Sequence, residues 1–170
     1  AGVSNSDGTI TSSVSVNNAA GFSIVKYTGN NTNLATYGHG LSQAPEMVIT
    51  KAYLDGTYYW QVYHTGLTSF DYALFLNETN VENNNTNRYK AISSSTIQVG
   101  TDGGVNAADD YIAYCFHSVE GYSKVGKYTG NGNADGSFIY TGFRPGMVIF
   151  KNRASTTEWI IVDDKRDTYN

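Results

Sequence analysis

Oxygen-bearing side chains are concentrated in one short segment of the sequence, TDGGVNAADDY. Its four candidate ligands are Asp102, Asn106, Asp109 and Asp110. Ca²⁺ takes about six to eight oxygen ligands, so this segment is a candidate calcium loop. Its spacing is not that of an EF-hand loop, however, and Asp-Gly is a common turn dipeptide. We therefore predict a turn with no assigned metal, and bound calcium stays open as the alternative.

No group of residues in the sequence points to catalysis. His39, His64 and His117 are scattered along the chain, whereas an active site needs a nucleophile, a base and an orienting group within reach of one another. The TGNG segment lacks the lysine and the following helix of a phosphate-binding loop. Cys115 is the single cysteine, and its apolar surroundings favour a packing role. We predict no enzyme activity and assign no catalytic, cofactor or metal residue.

Aromatic residues are concentrated around the segment YYWQVYH, at Tyr58, Tyr59, Trp60, Tyr63 and Tyr72. Rings beside amide and carboxylate groups stack on sugars and leave polar groups free to bond sugar hydroxyls. Strand alternation offers a simpler explanation, in which alternate members face the core and the others are surface rings. We favour the core explanation, with sugar binding as the alternative.

The composition favours a compact β-protein. Of the 170 residues, 15% are charged and 14% are aromatic, and the chain is rich in Gly, Asn, Ser, Thr and Tyr. This is a strand-and-turn composition, the opposite of a disordered one. The net charge of -4 argues against contact with a phosphate backbone, so we predict no nucleic-acid partner. No apolar run is long enough to span a bilayer, so we predict no membrane insertion.

Short runs rich in β-branched and aromatic residues alternate with turns such as TGNN, LDGT and ADGS. This pattern predicts an all-β fold without helices, an antiparallel β-sandwich or jelly-roll-like fold, with a prism or barrel as the alternative. Period-two alternation places Cys115 on the face opposite Ile112 and Tyr114. The stretch VENNNTNRYK is predicted to be an exposed loop. The predicted strands cover residues 9–16, 22–28, 34–38, 47–52, 58–64, 72–77, 96–100, 111–117, 122–129, 137–140, 147–151 and 159–162.

Two parts of the chain resemble each other at a spacing of about 100 residues. KYTGNN begins at Lys26 and KYTGNG at Lys127, and QAPEMVITK is matched by FRPGMVIFK. The three residue types that occur only twice in the chain occur once in each part and in the same order. The pairs are Pro45 and Pro145, Met47 and Met147, and Trp60 and Trp159. Such a period indicates a domain-sized repeat rather than a solenoid unit.

The repeat predicts how the chain is organised. We expect a connector with the first strand at 1–20, a complete β repeat at 21–120, and a partial second repeat at 121–170 that packs on the first. The second copy ends soon after Trp159, whereas the first continues through several more strand-like runs. We interpret the chain, which begins at Ala1, as a segment of a longer tandem array. The alternative is one domain completed by a duplicated strand pair.

Long ordered motifs also carry a family resemblance. They are GFSIVKYTGN, GHGLSQAPEMVITK, the W-x-VYH segment, and the run YIAYCFHSVEGYSKVGKYTGNGNADGSFIYTGFRPGMVIFK. In these motifs the chain resembles a repeat of tail-fibre and other virion proteins of bacteriophages, especially phages of marine bacteria and cyanobacteria. The likeness covers nearly the whole chain, including its opening VSNSDGTITSSVSVNNAAGFSIV. It implies no catalytic residues, and it implies further strands after the second copy.

The resemblance implies a virion structural module, a tail-fibre or surface-adhesion domain on the outside of a phage particle. Its loops TGNN, VENNNTNRYK and TDGGVN would contact host-cell glycan or neighbouring virion subunits. By analogy with fibres, it implies a homo-oligomer, a trimer. Two alternatives stay open: a lectin-like or carbohydrate-active cell-surface domain, and a capsid-decoration protein without a receptor role.

Overall fold

The computed structural model describes residues 2–54 and 56–166, which form short β-strands and one helical turn, α1 (Gly103–Asn106). The strands are β1 (Val3–Asn5), β2 (Ser12–Asn17), β3 (Phe22–Thr28), β4 (Ala35–Gly38), β5 (Met47–Ala52), β6 (Gln61–His64), β7 (Tyr72–Phe75), β8 (Asn83–Asn84), β9 (Tyr89–Ile92), β10 (Thr96–Val99), β11 (Asp110–Phe116), β12 (Met147–Phe150) and β13 (Ile160–Asp163). The predicted all-β class is confirmed.

The strands form three antiparallel sheets. An eight-stranded sheet has the order β1-β2-β3-β11-β5-β6-β7-β8, and a three-stranded sheet has the order β4-β10-β9. Residues of both sheets, such as Val25 and Ile97, share one buried cluster, so the two sheets enclose the main core. β12 and β13 form a separate two-stranded sheet. The first two sheets therefore make a sandwich-like body.

A stack of tyrosines occupies the centre of that core. The Tyr27 ring lies 4.0 Å from the Tyr37 ring and 5.1 Å from the Tyr111 ring, measured between centroids. A buried phenol needs a hydrogen-bond partner. The Tyr27 hydroxyl donates to the carbonyl of Val105 at 2.7 Å, and the Tyr111 hydroxyl donates to that of Gly103 at 2.6 Å. The core tyrosines thereby hold α1 against the sandwich.

β11 shows the predicted alternation. Tyr111, Ala113 and Cys115 are buried, whereas Ile112 and Tyr114 are partly exposed on the other face of the sheet. β11 is the central strand, since it pairs with β3 on one side and with β5 on the other. The predicted orientation of Cys115 is therefore confirmed.

Cys115 is expected to be unreactive in the folded protein. Burial raises the pKa of its thiol to about 12, so about one molecule in ten thousand carries a thiolate at pH 8. An aromatic disulfide reagent should therefore leave the native protein unlabelled and label one thiol per chain in denaturing urea. Rapid stoichiometric labelling without urea would show that the buried position is wrong.

Two predicted strands, at 122–129 and 137–140, are absent from the structure. The first copy of the KYTGN motif runs as β3 between β2 and β11. β11 leads into the second copy of the motif, which forms no strand, and both edges of β11 are already occupied by β3 and β5. The same motif tyrosine is consequently 2% exposed at Tyr27 and 54% exposed at Tyr128.

The β12–β13 pair has the register of the β5–β6 pair. Met147 lies opposite Asp163, as Met47 lies opposite His64. The connection between β12 and β13 contacts the sandwich at β7 and the segment after it. There the Trp159 indole donates to the Phe75 carbonyl at 2.8 Å. The predicted division into a connector, a complete repeat and a partial repeat stays a prediction.

The other differences between the predicted and the observed strands are local. The remaining predicted strands are present with ends shifted by at most three residues, and β1, β8, β9 and α1 were not predicted. The stretch VENNNTNRYK includes β8 and the start of β9, and Arg88 and Tyr89 are buried within it. The prediction of a wholly exposed loop there is therefore wrong, because an arginine and a tyrosine fix the asparagine-rich chain to the core.

Candidate functional site

A pocket of about 330 Å³ lies where three loops meet. The loops are the aromatic segment before β6, the asparagine-rich segment between β7 and β9, and the segment that leads into α1. Its lining combines aromatic, amide, carboxylate and guanidinium groups. The lining residues are Thr57, Tyr58, Tyr59, Gln61, Phe75, Asn80, Asn83, Arg88 and Asp102.

Two tyrosines form the aromatic wall of the pocket. Tyr59 is 46% exposed, and its ring centroid lies 5.0 Å from that of the buried Phe75. Tyr58 lies against the glycine pair of TDGGVN, where a Cβ at Gly103 would come within 2.2 Å of its ring. The glycine is needed for this close approach of backbone and ring. An exposed ring with a fixed partner provides the flat apolar face that stacks on a sugar.

Arg88 forms the polar floor of the pocket. Its guanidinium donates to the Asn83 carbonyl at 3.0 Å and to the Asn83 side-chain oxygen at 2.9 Å, and it lies 5.0 Å from the centre of the Phe75 ring. Burial lowers the pKa of the Arg88 guanidinium, and the Asp102 carboxylate, 3.8 Å from Nε, opposes that shift. The arginine orients the asparagine-rich loop around the pocket.

Two buried polar atoms of the lining have no hydrogen-bond partner within the described part of the chain. They are Nε of Arg88 and Oε1 of Gln61, on side chains that are 6% and 3% exposed. Buried polar groups are nearly always bonded to protein or to water. Both atoms are closed to solvent, so neither is open to a ligand as the pocket stands.

Asp102 connects the pocket to α1. Its Oδ1 accepts from the backbone amide of Gly104 at 2.8 Å as the helix N-cap, and its Oδ2 accepts from the side-chain amide of Asn85 at 2.7 Å. These bonds occupy the carboxylate from two directions and hold the asparagine-rich loop beside the helix. The segment predicted as a turn forms a capped helical turn, and its glycines let Tyr58 and Gln61 approach closely.

The other candidate calcium ligands have structural partners. The fully buried Asn106 donates to the carbonyls of Thr32 at 2.9 Å and Gly100 at 2.7 Å, and it accepts from the Asn30 amide at 2.9 Å. Asn106 therefore joins the TGNN loop to α1.

The two remaining carboxylates are bonded nearby. Asp109 accepts from the Asp110 amide at 2.6 Å, and Asp110 accepts from the hydroxyls of Thr28 at 2.6 Å and Tyr53 at 3.1 Å. These bonds lower the pKa of Asp110. Among residues 2–54 and 56–166, no cluster of three or more His, Cys, Asp or Glu side chains is arranged for a metal ion.

The three histidines are each bonded to backbone atoms. Nδ1 of His39 accepts from the Leu41 amide at 3.2 Å, and Nδ1 of His64 accepts from the Gly66 amide at 2.7 Å. Burial lowers the pKa of both imidazoles. Nδ1 of His117 lies 2.8 Å from the Ser118 carbonyl. None of the three lines the pocket.

The predicted aromatic group divides between the core, the pocket and the surface. Tyr63 is buried and stacks on Phe70 at 5.2 Å, as the core explanation requires. Tyr58 and Tyr59 line the pocket, whereas Tyr72 packs beside a smaller buried cluster on the outer face of the large sheet. Trp60 lines a separate open groove on that face.

The sequence patterns did not predict Gln61, Asn83 or Arg88 as site residues. A lone arginine inside an asparagine-rich stretch was the available signal, since a long charged side chain among short polar ones can anchor a loop. No sequence signal pointed to Gln61, because a glutamine that alternates with aromatic residues is ordinary in a β-strand.

Comparisons with known proteins place the chain in a family without assigning its function. Searches of the curated proteins and of the solved structures found no match. Within the described residues, no helix has the length and hydrophobicity needed to cross a membrane. The family model described as a domain of unknown function, DUF7483, matches residues 1–170. Because the match extends over the full sequence, the chain belongs to the DUF7483 family.

Proposed function

We propose that this protein is an adhesion module of a phage virion, a tail-fibre domain that binds host-cell glycan in the pocket beside α1. The observation that carries the proposal is the convergence of an exposed aromatic ring, Tyr59, with the side-chain amide and carboxylate groups of Asn80 and Asp102 in one pocket lining. Sugars present apolar C–H faces to rings and hydroxyls that both donate and accept hydrogen bonds. The pocket provides partners for both properties.

The scaffold also supports a display role. We propose that the sandwich is a jelly-roll-like unit of a tandem repeat of about 100 residues, with β12 and β13 as the counterparts of β5 and β6. The shared register of the two strand pairs supports this repeat. The tyrosine core and the Asn106 bonds fix the pocket loops on rigid strands, which favours binding without loop rearrangement.

Replacing Tyr59 with Ala is expected to weaken glycan binding by about tenfold or more, because the stacking face is removed. Oligosaccharides of neutral hexoses and amino sugars on an array would identify a binder, and calorimetry would give its dissociation constant. Tyr122→Ala is the matched control, since Tyr122 is 63% exposed and lies outside the pocket. Equal affinity of the two variants, or an array with no binder, would contradict the glycan site.

Two further measurements separate the alternatives. Release of reducing sugar from a bound oligosaccharide would favour a carbohydrate-active domain over a binding module. Gold-labelled imaging of virions would place the protein on tail or head, and a head location without glycan binding would favour capsid decoration.

The proposed trimer predicts a threefold chain mass in light scattering, and a clean monomer would contradict it.

A further inference from the structure

β12 has one unpaired edge. Within residues 2–54 and 56–166 it pairs with β13 and with no other strand. Phe150 in this strand pair is partly buried, and the other six apolar side chains are between 44% and 58% exposed. These six are Met147, Val148, Ile149, Ile160, Ile161 and Val162. A two-stranded ribbon with uncovered apolar faces is marginally stable in water, so the pair needs an additional strand or layer.

The strand that occupies the equivalent edge is present elsewhere in the chain. β5 is the counterpart of β12 by the QAPEMVITK and FRPGMVIFK motifs and by its register with β6. β11 lies along the other edge of β5 through six residue pairs, from Phe116 opposite Met47 to Tyr111 opposite Ala52. With β11 in place, Val48 is fully buried, whereas its counterpart Val148 is 45% exposed.

We propose that the free edge of β12 accepts an antiparallel strand with the sequence pattern of β11, DYIAYCF. The register of β11 on β5 places the donor phenylalanine opposite Met147, the cysteine position opposite Val148 and the second tyrosine opposite Ile149. This inference rests on the repeat proposed above and does not involve the glycan pocket.

The side-chain pattern of β11 determines which strands the free edge of β12 would accept. Strand addition derives affinity from main-chain hydrogen bonds and selectivity from alternate side chains. In β11 Tyr111, Ala113 and Cys115 face the core, and Ile112 and Tyr114 face outward. A donor with the opposite alternation would exchange the side chains that the added strand presents on the two faces of the β12–β13 sheet. Self-pairing of two β12 edges is the competing outcome, because open edges pair readily.

A synthetic peptide, ADDYIAYSFHS, provides the test. It reproduces residues 108–118 with Ser in place of the cysteine. The probe is added to the 170-residue protein, and hydrogen exchange is followed in fragments that cover β12. With peptide at about ten times its dissociation constant, the β12 amides should exchange about tenfold more slowly. A control peptide with Pro in place of the tyrosine equivalent to Tyr114 should give no protection, since the backbone groups of the even-numbered residues of β11 face β5 and proline removes one such donor.

Three outcomes would overturn the proposal. The first is unchanged exchange in β12 with the β11 peptide, and the second is equal protection by the proline peptide. The third is protection of β12 that rises with protein concentration before any peptide is added, which would assign the edge to a second copy of the chain. Glycan affinity is measured separately on Tyr59→Ala, so failure here leaves the pocket proposal standing.

Discussion

Replacing Asn106 with Asp is expected to lower the free energy of unfolding by about 4 kcal/mol or more. The fully buried amide donates to the carbonyls of Gly100 and Thr32. A carboxylate there would turn two hydrogen bonds into repulsive contacts between oxygens and would bury a charge without a cation. Urea unfolding followed by tryptophan fluorescence measures the change.

Asn106→Ala separates the loss of hydrogen bonds from the burial of charge. This variant should lower the free energy of unfolding by about 2–3 kcal/mol, because the buried Gly100 carbonyl loses its hydrogen-bond partner. The exposed backbone groups of Thr32 and Asn30 can bond to water instead. Asn33→Asp is the matched control in the neighbouring loop, where Asn33 is exposed. It should change stability by no more than about 0.5 kcal/mol.

The order of these variants also tests the calcium alternative. If Asn106 were a calcium ligand, an added carboxylate would strengthen binding, and Asn106→Asp would be stabilised by calcium. The structural role predicts the order Asn33→Asp, Asn106→Ala, Asn106→Asp from least to most destabilised, with no change on adding calcium. An Asp variant as stable as the wild type would show that the amide donors do not hold the loops.

Local patterns in the sequence were sufficient to predict most strands of the sandwich, but not β1, β8 or β9. Period-two alternation identified β11 and its buried face. The position of β11 was not predictable, because its insertion between β3 and β5 is a long-range pairing that no local pattern encodes. Residues 122–129 repeat the motif of β3 but form no strand, and none of the described strands pairs with them as β2 and β11 pair with β3.

The candidate site was predictable in its aromatic part only. Tyr58 and Tyr59 were identified as possible sugar platforms, and TDGGVN and VENNNTNRYK as contact loops; residues of all three segments line the pocket. The polar groups that make the pocket specific were missed. Arg88 and Gln61 come from separate segments and meet only in the fold, and their unpaired atoms are a property of packing.

Replacing Arg88 with Met should lower the free energy of unfolding by about 3 kcal/mol, because its hydrogen bonds to Asn83 are lost and the Asp102 carboxylate loses its nearest cation. Methionine preserves much of the packing against Phe75, so the loss reports mainly on charge and hydrogen bonding. Arg144→Met on the exposed surface is the matched control and should change stability by no more than about 0.5 kcal/mol.

A double-mutant cycle with Asp102→Asn isolates the contribution of the charge pair. Asparagine is also a good N-cap, so the bond from the Gly104 amide is retained. Asp102→Asn should therefore destabilise the wild type and be neutral or stabilising in the Arg88→Met background, with a coupling of about 1 kcal/mol or more. Strictly additive effects would mean that Arg88 acts on the asparagine-rich loop alone. Coupled effects would show that the carboxylate and the guanidinium act as one electrostatic unit, since the Asp102 carboxylate is the ionic partner of the Arg88 Nε.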